Sequence, residues 1–295
     1  MSQYQQLLLI THLALRHSPA IDQAAALARA SAARLHIAAL IAPLKLLSLL
    51  EERDRTTARE RYLQDHRDWL REQAKILRGQ GISVTTQVGW ADDMEQDILD
   101  HVAQLRPDLL IKEVQHESAL KRAFFTPLDW RLLRHCPVPV YLVGEARHAL
   151  PRKVVAAVDA AAGESTNSEL NDRIIEQAIG LAIQCDAELH LLCACEVSED
   201  VLEELDAGLT LSKLTRKLRN ELEKSFIHLA SRHSVPADRR HFVLGHPVSA
   251  LSEFVDTHQM DVIVMGRVQY QGLEKLVGST TEHILYQVPC SVLAV

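Results

Sequence analysis

The residues that could do chemistry lie near the carboxyl end of the sequence. A short β-branched run, Val262 to Met265, stops at Gly266, and further along Gly278, Ser279 and Thr280 precede an apolar run with helical spacing. The first pattern predicts a buried strand and the second a helix N-terminus. Free backbone N–H groups and the helix dipole favour an anion at such a helix start, and open α/β sheets bind ligands where their parallel strands end. This stretch is therefore typical of a phosphate-binding site.

Composition limits the kind of protein that carries this stretch. The chain has 295 residues, of which 47% are hydrophobic and 24% charged, which fits one large domain or two of ordinary size. A net charge of -7 gives no reason to expect nucleic acid or an anionic membrane as a partner. Apolar runs fall short of the roughly 20 residues that a spanning helix needs. Five cysteines without paired spacing fit a reduced compartment, so we expect a soluble cytoplasmic α/β protein.

The same order of predicted elements occurs twice along the chain. Gly89 matches Gly245 at an offset of 156 residues, and Asp108 matches Asp261 at an offset of 153. Strands alternate with helical runs in both halves, which predicts one parallel sheet with right-handed crossovers in each half. Each half is close to the usual size of a domain and can bury its own core. The predicted domains are residues 1–146 and 151–295.

Three runs in the second half carry a family resemblance: Val-Ala-Ala-Val-Asp159, Leu244-Gly245-His246-Pro247, and Met265-Gly266 followed by Gly278-Ser279-Thr280-Thr281-Glu282. With these runs, the second half resembles a universal stress protein domain. The first half carries Thr126-Pro127-Leu128-Asp129-Trp130, and this run is similar to the tandem, E-type universal stress proteins of Gram-negative bacteria. The resemblance implies two tandem five-stranded parallel α/β domains of the Rossmann-like, adenine nucleotide alpha-hydrolase-like type. It also implies dimer-like pairing of the two domains, and binding of ATP or AMP in some members.

The resemblance assigns roles to six residues of the second half. Asp159 would approach the adenine or ribose, Ala194 would offer backbone hydrogen bonds to adenine, and Gly266 would let ribose and phosphate pass close to the backbone. Mg²⁺ would enter only together with the nucleotide. The phosphates would bind backbone N–H groups and hydroxyls of Gly278, Ser279 and Thr280.

The second half departs from the family's ATP-binding pattern, G-x2-G-x9-G-[ST], in two respects. Gln269 stands where the second glycine is expected, and eight residues instead of nine separate it from Gly278. A glutamine does not adopt a positive φ cheaply, so the loop over a triphosphate would change shape. We therefore expect remnants of a nucleotide site in this half, and ATP hydrolysis that is slow at most.

The first half departs further from the pattern and is predicted to be degenerate. Thr11 replaces the aspartate, and Pro127 removes one of the N–H groups that would bind phosphate. Lys112 and Glu113 stand where the second half has Met265 and Gly266. Two interpretations stay open for the charged residues here: they line a polar pocket of different shape, or they belong to a solvated loop. These residues are Lys112, Glu113, His116 and Lys121.

Other candidate sites are less specific. Cys193 and Cys195 share one face of a predicted strand, but their spacing shows no partners for a metal, and buried free cysteines are common. His233, His241 and His246 have no cysteine or carboxylate at zinc-like spacing, so no metal site is predicted. The motifs of the common hydrolases and dehydrogenases are absent from the sequence.

Two classes of function stay open at this point. The first is a stress-response regulator that binds ATP or AMP in its second domain. The second is an interaction module whose pockets are degenerate and whose surfaces recruit protein or small-molecule partners. In either class we expect the two domains to pair through their last strands, Val140–Val143 and Ser291–Val295, and a homodimer of the chain is an open possibility.

Overall fold

The computed structural model describes residues 3–11, 18–114, 127–145, 147–160, 166–196, 211–267 and 284–295. The chain divides into two compact units, Met1–Leu150 and Pro151–Val295. Each unit is described by itself below.

The first unit contains a five-stranded parallel sheet with the strand order β3-β2-β1-β4-β5. Helices follow the strands along the chain, as expected for a parallel sheet. The elements are β1 (Gln6–Thr11), α1 (Pro19–Ser31), β2 (Arg34–Ile41), a 3₁₀ helix (Lys45–Leu49), α2 (Glu52–Gly79), β3 (Val84–Trp90), α3 (Met94–Leu105), β4 (Leu109–Glu113), α4 (Leu128–His135) and β5 (Val140–Val143).

The second unit repeats this sheet with the order β8-β7-β6-β9-β10, and its pairings are again parallel. The prediction of two tandem five-stranded parallel α/β domains is therefore confirmed. The elements are β6 (Lys153–Val158), α5 (Thr166–Cys185), β7 (Glu188–Cys195), α6 (Leu211–Arg232), a 3₁₀ helix (Ala237–Arg239), β8 (Arg240–Leu244), α7 (Pro247–Thr257), β9 (Val262–Met265) and β10 (Ser291–Ala294).

The central strands are apolar over most of their length because helices cover both faces of a parallel sheet. Strand β1 shows this directly, since Leu7, Leu8 and Leu9 have no exposed surface. The helices that pack near the edge strands of the sheet are amphipathic instead. Helix α2 buries Leu70, Ala74 and Leu77 on one face and carries its charges on the other. Burial of this kind, at about 25 cal/mol per Å² of apolar surface, is the main stabilising contribution to each sheet.

An aspartate before the fourth strand of each unit fixes the start of the first strand. Asp108 Oδ2 accepts hydrogen bonds from the backbone N–H groups of Gln5 and Gln6, at 2.6 and 2.8 Å. Asp261 Oδ2 accepts in the same way from Arg152 and Lys153, at 2.8 and 3.0 Å. The matched pair Asp108 and Asp261 therefore has a structural role in both units.

The units also share left-handed backbone at the ends of matched helices. Five residues other than glycine have a positive φ in the described ranges. Four of them form two matched pairs between the units, and the fifth, Ser234, matches Gly81. In each case a backbone N–H at or just after this residue bonds back to a carbonyl of the helix, as in a common type of helix C-cap. The matched residues are Ala32 and Asp186 after α1 and α5, Gly81 and Ser234 after α2 and α6, and Arg106 and Gln259 after α3 and α7.

Candidate functional site

Three of the predicted site residues lie at one edge of the second sheet. Asp159 directly follows β6, Ala194 is the last residue but one of β7, and Gly266 directly follows β9. Strand β6 pairs with both β7 and β9, so the three residues end neighbouring parallel strands. Open α/β sheets bind ligands at this carboxyl edge. The other predicted residues, Gly278, Ser279 and Thr280, lie outside the described residues, as does Gln269.

The backbone of Asp159 is held by a buried side chain from α5. Asn171 Nδ2 donates to the carbonyl of Asp159 at 2.7 Å, and the N–H of Asp159 donates to Asn171 Oδ1 at 3.1 Å. Asn171 is only 6% exposed, whereas Asp159 is exposed. The amide of Asn171 thus fixes the end of β6 while leaving the Asp159 carboxylate in contact with solvent. Sequence reasoning missed Asn171, since an asparagine in a helical run shows nothing of a partner twelve positions earlier.

Gly266 is in close contact with Leu170 of α5. A Cβ on this glycine would lie 2.8 Å from Leu170 Cδ2 and 3.0 Å from Cγ, so a larger residue would force this side chain to move. The φ of Gly266 is outside the left-handed region, because Gly81 and Gly245 are the only described glycines inside it. Close approach is therefore the reason for a glycine here, and in this structure the approaching group is Leu170.

Ala194 lies between two cysteines that face each other. Cys193 and Cys195 point to the same side of β7, as predicted for alternate residues of a strand, and their Sγ atoms are 3.1 Å apart. Both side chains are buried, at 0% and 6% exposure. Either thiol can donate to the other, and the contact with Cys195 together with burial raises the pKa of Cys193, so this thiol stays protonated.

The matching edge of the first unit is occupied by the protein's own charges. Lys112, in β4, donates to Asp129 Oδ1 at 2.8 Å and to the carbonyl of Glu113 at 2.9 Å. The side chains of Lys112 and Asp129 are 5% and 1% exposed. Glu113 in turn accepts a hydrogen bond from Ser18, the N-cap of α1.

This arrangement bears on the two interpretations of the charged residues in the first half at Lys112 only. The solvated-loop interpretation is wrong for Lys112, because a buried side chain paired with a buried carboxylate is not solvated. Instead, the ion pair is internal to the unit. His116 and Lys121 lie outside the described residues. Thr11, which replaces the aspartate of the second half, is buried at 4% exposure.

The histidines of the second unit do not form a metal centre in the part of the chain that the structure describes. His233 bonds to Asp172 at 2.6 Å, and His190 Nδ1 lies 3.1 Å from His241 Nε2. Across the described ranges, no group of three or more His, Cys, Asp or Glu side chains is arranged to hold a metal ion.

Hydropathy adds one structural observation. None of the described helices is long and apolar enough to cross a membrane.

The fold and the repeat agree with the comparisons to known proteins. The model of the universal stress protein family matches the chain twice, over residues 4–144 and 151–295. Universal stress protein E of Photorhabdus laumondii is 28% identical over 301 residues, which cover 100% of this chain and 96% of that protein. Universal stress protein E of Escherichia coli K12 is 25% identical over 258 residues, with 85% and 80% coverage.

Solved structures show the same fold over the whole chain. A putative universal stress protein from Pseudomonas aeruginosa UCBPP-PA14 matches with a TM-score of 0.70 and 24% identity, covering 99% of this chain and 93% of its own. A universal stress protein from Archaeoglobus fulgidus matches with a TM-score of 0.69 and 16% identity, covering 99% and 96%. Two Rossmann-like α/β units in tandem define the class of protein, and the chain belongs to the universal stress protein family.

Proposed function

We propose that the second domain binds an adenine nucleotide, ATP or AMP, and that the protein acts in the stress response as a regulator rather than as an efficient enzyme. One observation carries this proposal: Asp159, Ala194 and Gly266 end three neighbouring parallel strands. A carboxylate can accept from ribose hydroxyls, a strand backbone can bond the edge of adenine, and a glycine permits close approach of phosphate.

A buried ion pair disfavours a phosphate ligand at the carboxyl edge of the first domain. Lys112 of the first domain is already compensated by Asp129, so an added phosphate would gain little there. In the second domain this edge carries instead the exposed Asp159 and, next to it across the strands, Gly266.

The proposal includes a local rearrangement at Gly266. Leu170 occupies the side of Gly266 on which a Cβ would lie, so a phosphate that approaches from this side requires Leu170 to change rotamer. Hydrolysis is expected to be slow at most, because Gln269 replaces a glycine in the loop that would enclose a triphosphate.

Calorimetric titration of the full chain with ATP and AMP, and with GTP for comparison, tests the proposal. We expect heat of binding with the adenine nucleotides, and about tenfold weaker binding for Asp159→Ala, since one charged hydrogen-bond acceptor is lost. Thr11→Ala, at the matched position of the first domain, should leave the affinity unchanged. Absence of heat with millimolar nucleotide, or equal effects of the two variants, would overturn the proposal.

One surface of the first domain favours the second candidate function, recruitment of a protein partner. Leu46 and Leu49, in the 3₁₀ helix after β2, are 76% and 80% exposed. Beside them lies a pocket of about 330 Å³ that contains three cationic side chains and an aromatic one. Such a surface suits an acidic segment with apolar side chains. The pocket is lined by Pro43, Leu44, Lys45, Leu47, Ser48, Arg55, Arg59 and Trp90.

A further inference from the structure

We propose that the 3₁₀ helix after β2 and the pocket beside it form a self-association surface, which binds an acidic segment of a second copy of this chain. The acidic segment is residues 199–206, between β7 and α6. A second copy is then the partner that this surface recruits, so the proposal rests on the second candidate function. The self-association surface consists of Lys45, Leu46, Leu49, Arg55 and Arg59.

Two leucines form the apolar part of the self-association surface. Leu46 and Leu49 are three positions apart in the 3₁₀ helix, whose three residues per turn put both side chains on one side. Their exposed fractions of 76% and 80% leave most of their apolar surface in water. No residue of this 3₁₀ helix is buried, so its leucines contribute little to the core of the unit. Apolar side chains of a partner would remove this surface from water, which is favourable.

Three cations form the charged part of the surface. Arg55 and Arg59 are four positions apart on one face of α2, and they line the pocket together with Lys45. The lining contains no acidic side chain, and the acidic residues in the first turn of α2, Glu52 and Asp54, stand outside it. In the described part of the chain, no salt bridge includes any of the three cations. Their charge is therefore available to an acidic partner.

Trp90 holds one of these cations in place. The guanidinium carbon of Arg59 lies 4.8 Å from the centre of the Trp90 ring, which is a cation–π contact. Tyr62 stacks on Trp90 with the ring centres 5.7 Å apart. Arg59 is thus positioned before a partner arrives, so less side-chain entropy is lost when the partner binds.

The acidic segment has a composition complementary to this surface. Residues 199–206 comprise five acidic residues, three apolar residues and no cation, which is the highest density of acidic residues in the chain. Leu202 and Leu205 are three positions apart, the same spacing as Leu46 and Leu49. The segment lies outside the described residues.

The repeat favours a second copy of this chain as the occupant of the surface. The self-association surface follows β2, and the acidic segment follows β7, the matched strand of the second unit. Every copy therefore carries both sides of the contact, and a two-fold dimer would make the contact twice. Opposite charges would steer the encounter of the two copies and fix its register.

Sedimentation of the full-length protein tests the proposal, with chain concentrations up to about 0.3 mM so that a contact of micromolar affinity is detected. We expect a concentration-dependent shift from monomer to dimer that weakens as salt is added. Leu46→Ser/Leu49→Ser and, separately, Arg55→Glu/Arg59→Glu should each raise the dissociation constant at least about tenfold.

Two exposed positions elsewhere supply matched controls. Ile183→Ser changes an apolar side chain of α5 that is 77% exposed, and Arg67→Glu reverses an exposed charge of α2 outside the pocket. Both variants should associate like the unchanged protein. Circular dichroism checks that every variant is folded.

An exchange of charges between two variants separates loss of the contact from loss of folding. Arg55→Glu/Arg59→Glu makes the surface acidic, and Glu203→Arg/Glu204→Arg makes the segment basic. Each variant alone should stay monomeric. An equimolar mixture should associate, because the acidic surface of one variant then meets the basic segment of the other. If the mixture does not associate, or if the unchanged chain is monomeric at every concentration, the proposal is wrong.

A synthetic peptide of residues 197–210 identifies the occupant. This peptide should bind the unchanged protein and compete with self-association, whereas the same peptide with Leu202→Ser and Leu205→Ser should not. If a different acidic, leucine-containing peptide binds and this one does not, recruitment of a partner stands and the second copy is the wrong occupant. Binding to phosphatidylglycerol vesicles without self-association would also overturn the proposal, because the leucines and cations would then serve a membrane.

Discussion

At the scale of single residues, the buried pair of Lys112 and Asp129 lies at the carboxyl edge of the first domain's sheet. Removing both charges from water costs several kcal/mol per ion, which their attraction and additional hydrogen bonds only partly offset. The carbonyl of Glu113 supplies one of these additional bonds to Lys112. Such a pair adds little to the free energy of unfolding. Replacing only one of its members is strongly destabilising, because the other charge stays buried without its partner.

Removal of one member of this pair should therefore be far more harmful than removal of both. Asp129→Ala leaves the Lys112 ammonium buried without its carboxylate, and we expect a loss of about 3–5 kcal/mol in the free energy of unfolding. The double variant Lys112→Met/Asp129→Leu should recover most of this loss. Urea unfolding followed by circular dichroism measures both. Equal losses for the single and the double variant would contradict this account.

Residue types at the site were predictable from the sequence to different degrees. Gly266 and Asp159 stand out because a glycine or a carboxylate directly after an apolar strand is typical of a strand end that binds a ligand. Leu170 and Asn171 gave no such signal, since their roles depend on how α5 packs across the strand ends. Lys112 and Asp129 are 17 positions apart, and only the fold brings them together.

At the scale of elements, helix starts were the least accurately predicted features. The sequence pattern predicts a first helix from Ile21, but α1 begins at Pro19. Ser18 caps this helix, since its Oγ accepts from the N–H of Ala20 at 3.2 Å, and proline is well suited to the first helical position. In the second half the sequence pattern predicts a helix from Asn171 to Cys185, whereas α5 begins at Thr166. Apolar periodicity marks the packed part of a helix and misses its polar first turn.

The aspartates that connect the fourth strand to the first should have a measurable effect. Asp261→Ala removes the acceptor for two backbone N–H groups, and we expect a loss of about 2–4 kcal/mol, because each group is left without its charged partner. Asp261→Asn retains an oxygen that can accept both bonds and should lose less, about 1 kcal/mol. Asp108→Ala should repeat the alanine result in the first domain. Denaturant unfolding measures all three, and an equal loss for alanine and asparagine would contradict the proposed role.

At the scale of the whole molecule, the duplication was the most predictable feature of the chain. Matched residues such as Asp108 and Asp261 have the same contacts in the two units, so the sequence offsets correspond to real structural equivalence. Pairing of the two domains through their last strands, the homodimer and the domain boundaries stay predictions. The units differ at their carboxyl edges, where Lys112 and Glu113 of the first unit correspond to Met265 and Gly266 of the second.

Acid should destabilise the molecule through its half-buried histidines. Burial lowers the pKa of His241 to about 4, and the positive charges of His190 and His258 add to this effect. Burial also lowers the pKa of His190, against the influence of Glu188 and together with that of Arg239 and Lys153. A lowered pKa means that the unfolded chain binds more protons between about pH 6.5 and pH 4, so stability is full above that range and falls as the pH decreases through it.

The measurement is the free energy of unfolding at pH 7 and at pH 5. His241→Gln removes one of the groups that must stay neutral, so this variant should lose less stability between the two values than the unchanged protein. His228→Gln, at an exposed position of α6, is the matched control and should lose as much as the unchanged protein. The same pH dependence in all three proteins would rule out this role for His241.

The left-handed helix ends have a consequence for the history and the engineering of the chain. Glycine is the residue best suited to this conformation, and each other residue costs about 1 kcal/mol there. Yet Gly81 is matched by Ser234, and the remaining matched pairs contain no glycine at all. The left-handed backbone conformation has therefore been retained at these positions, while the residue types have changed since the halves diverged. Substitution of Ala32, Arg106, Asp186 or Gln259 by glycine should therefore stabilise the protein, because it would relieve backbone strain without touching the candidate site.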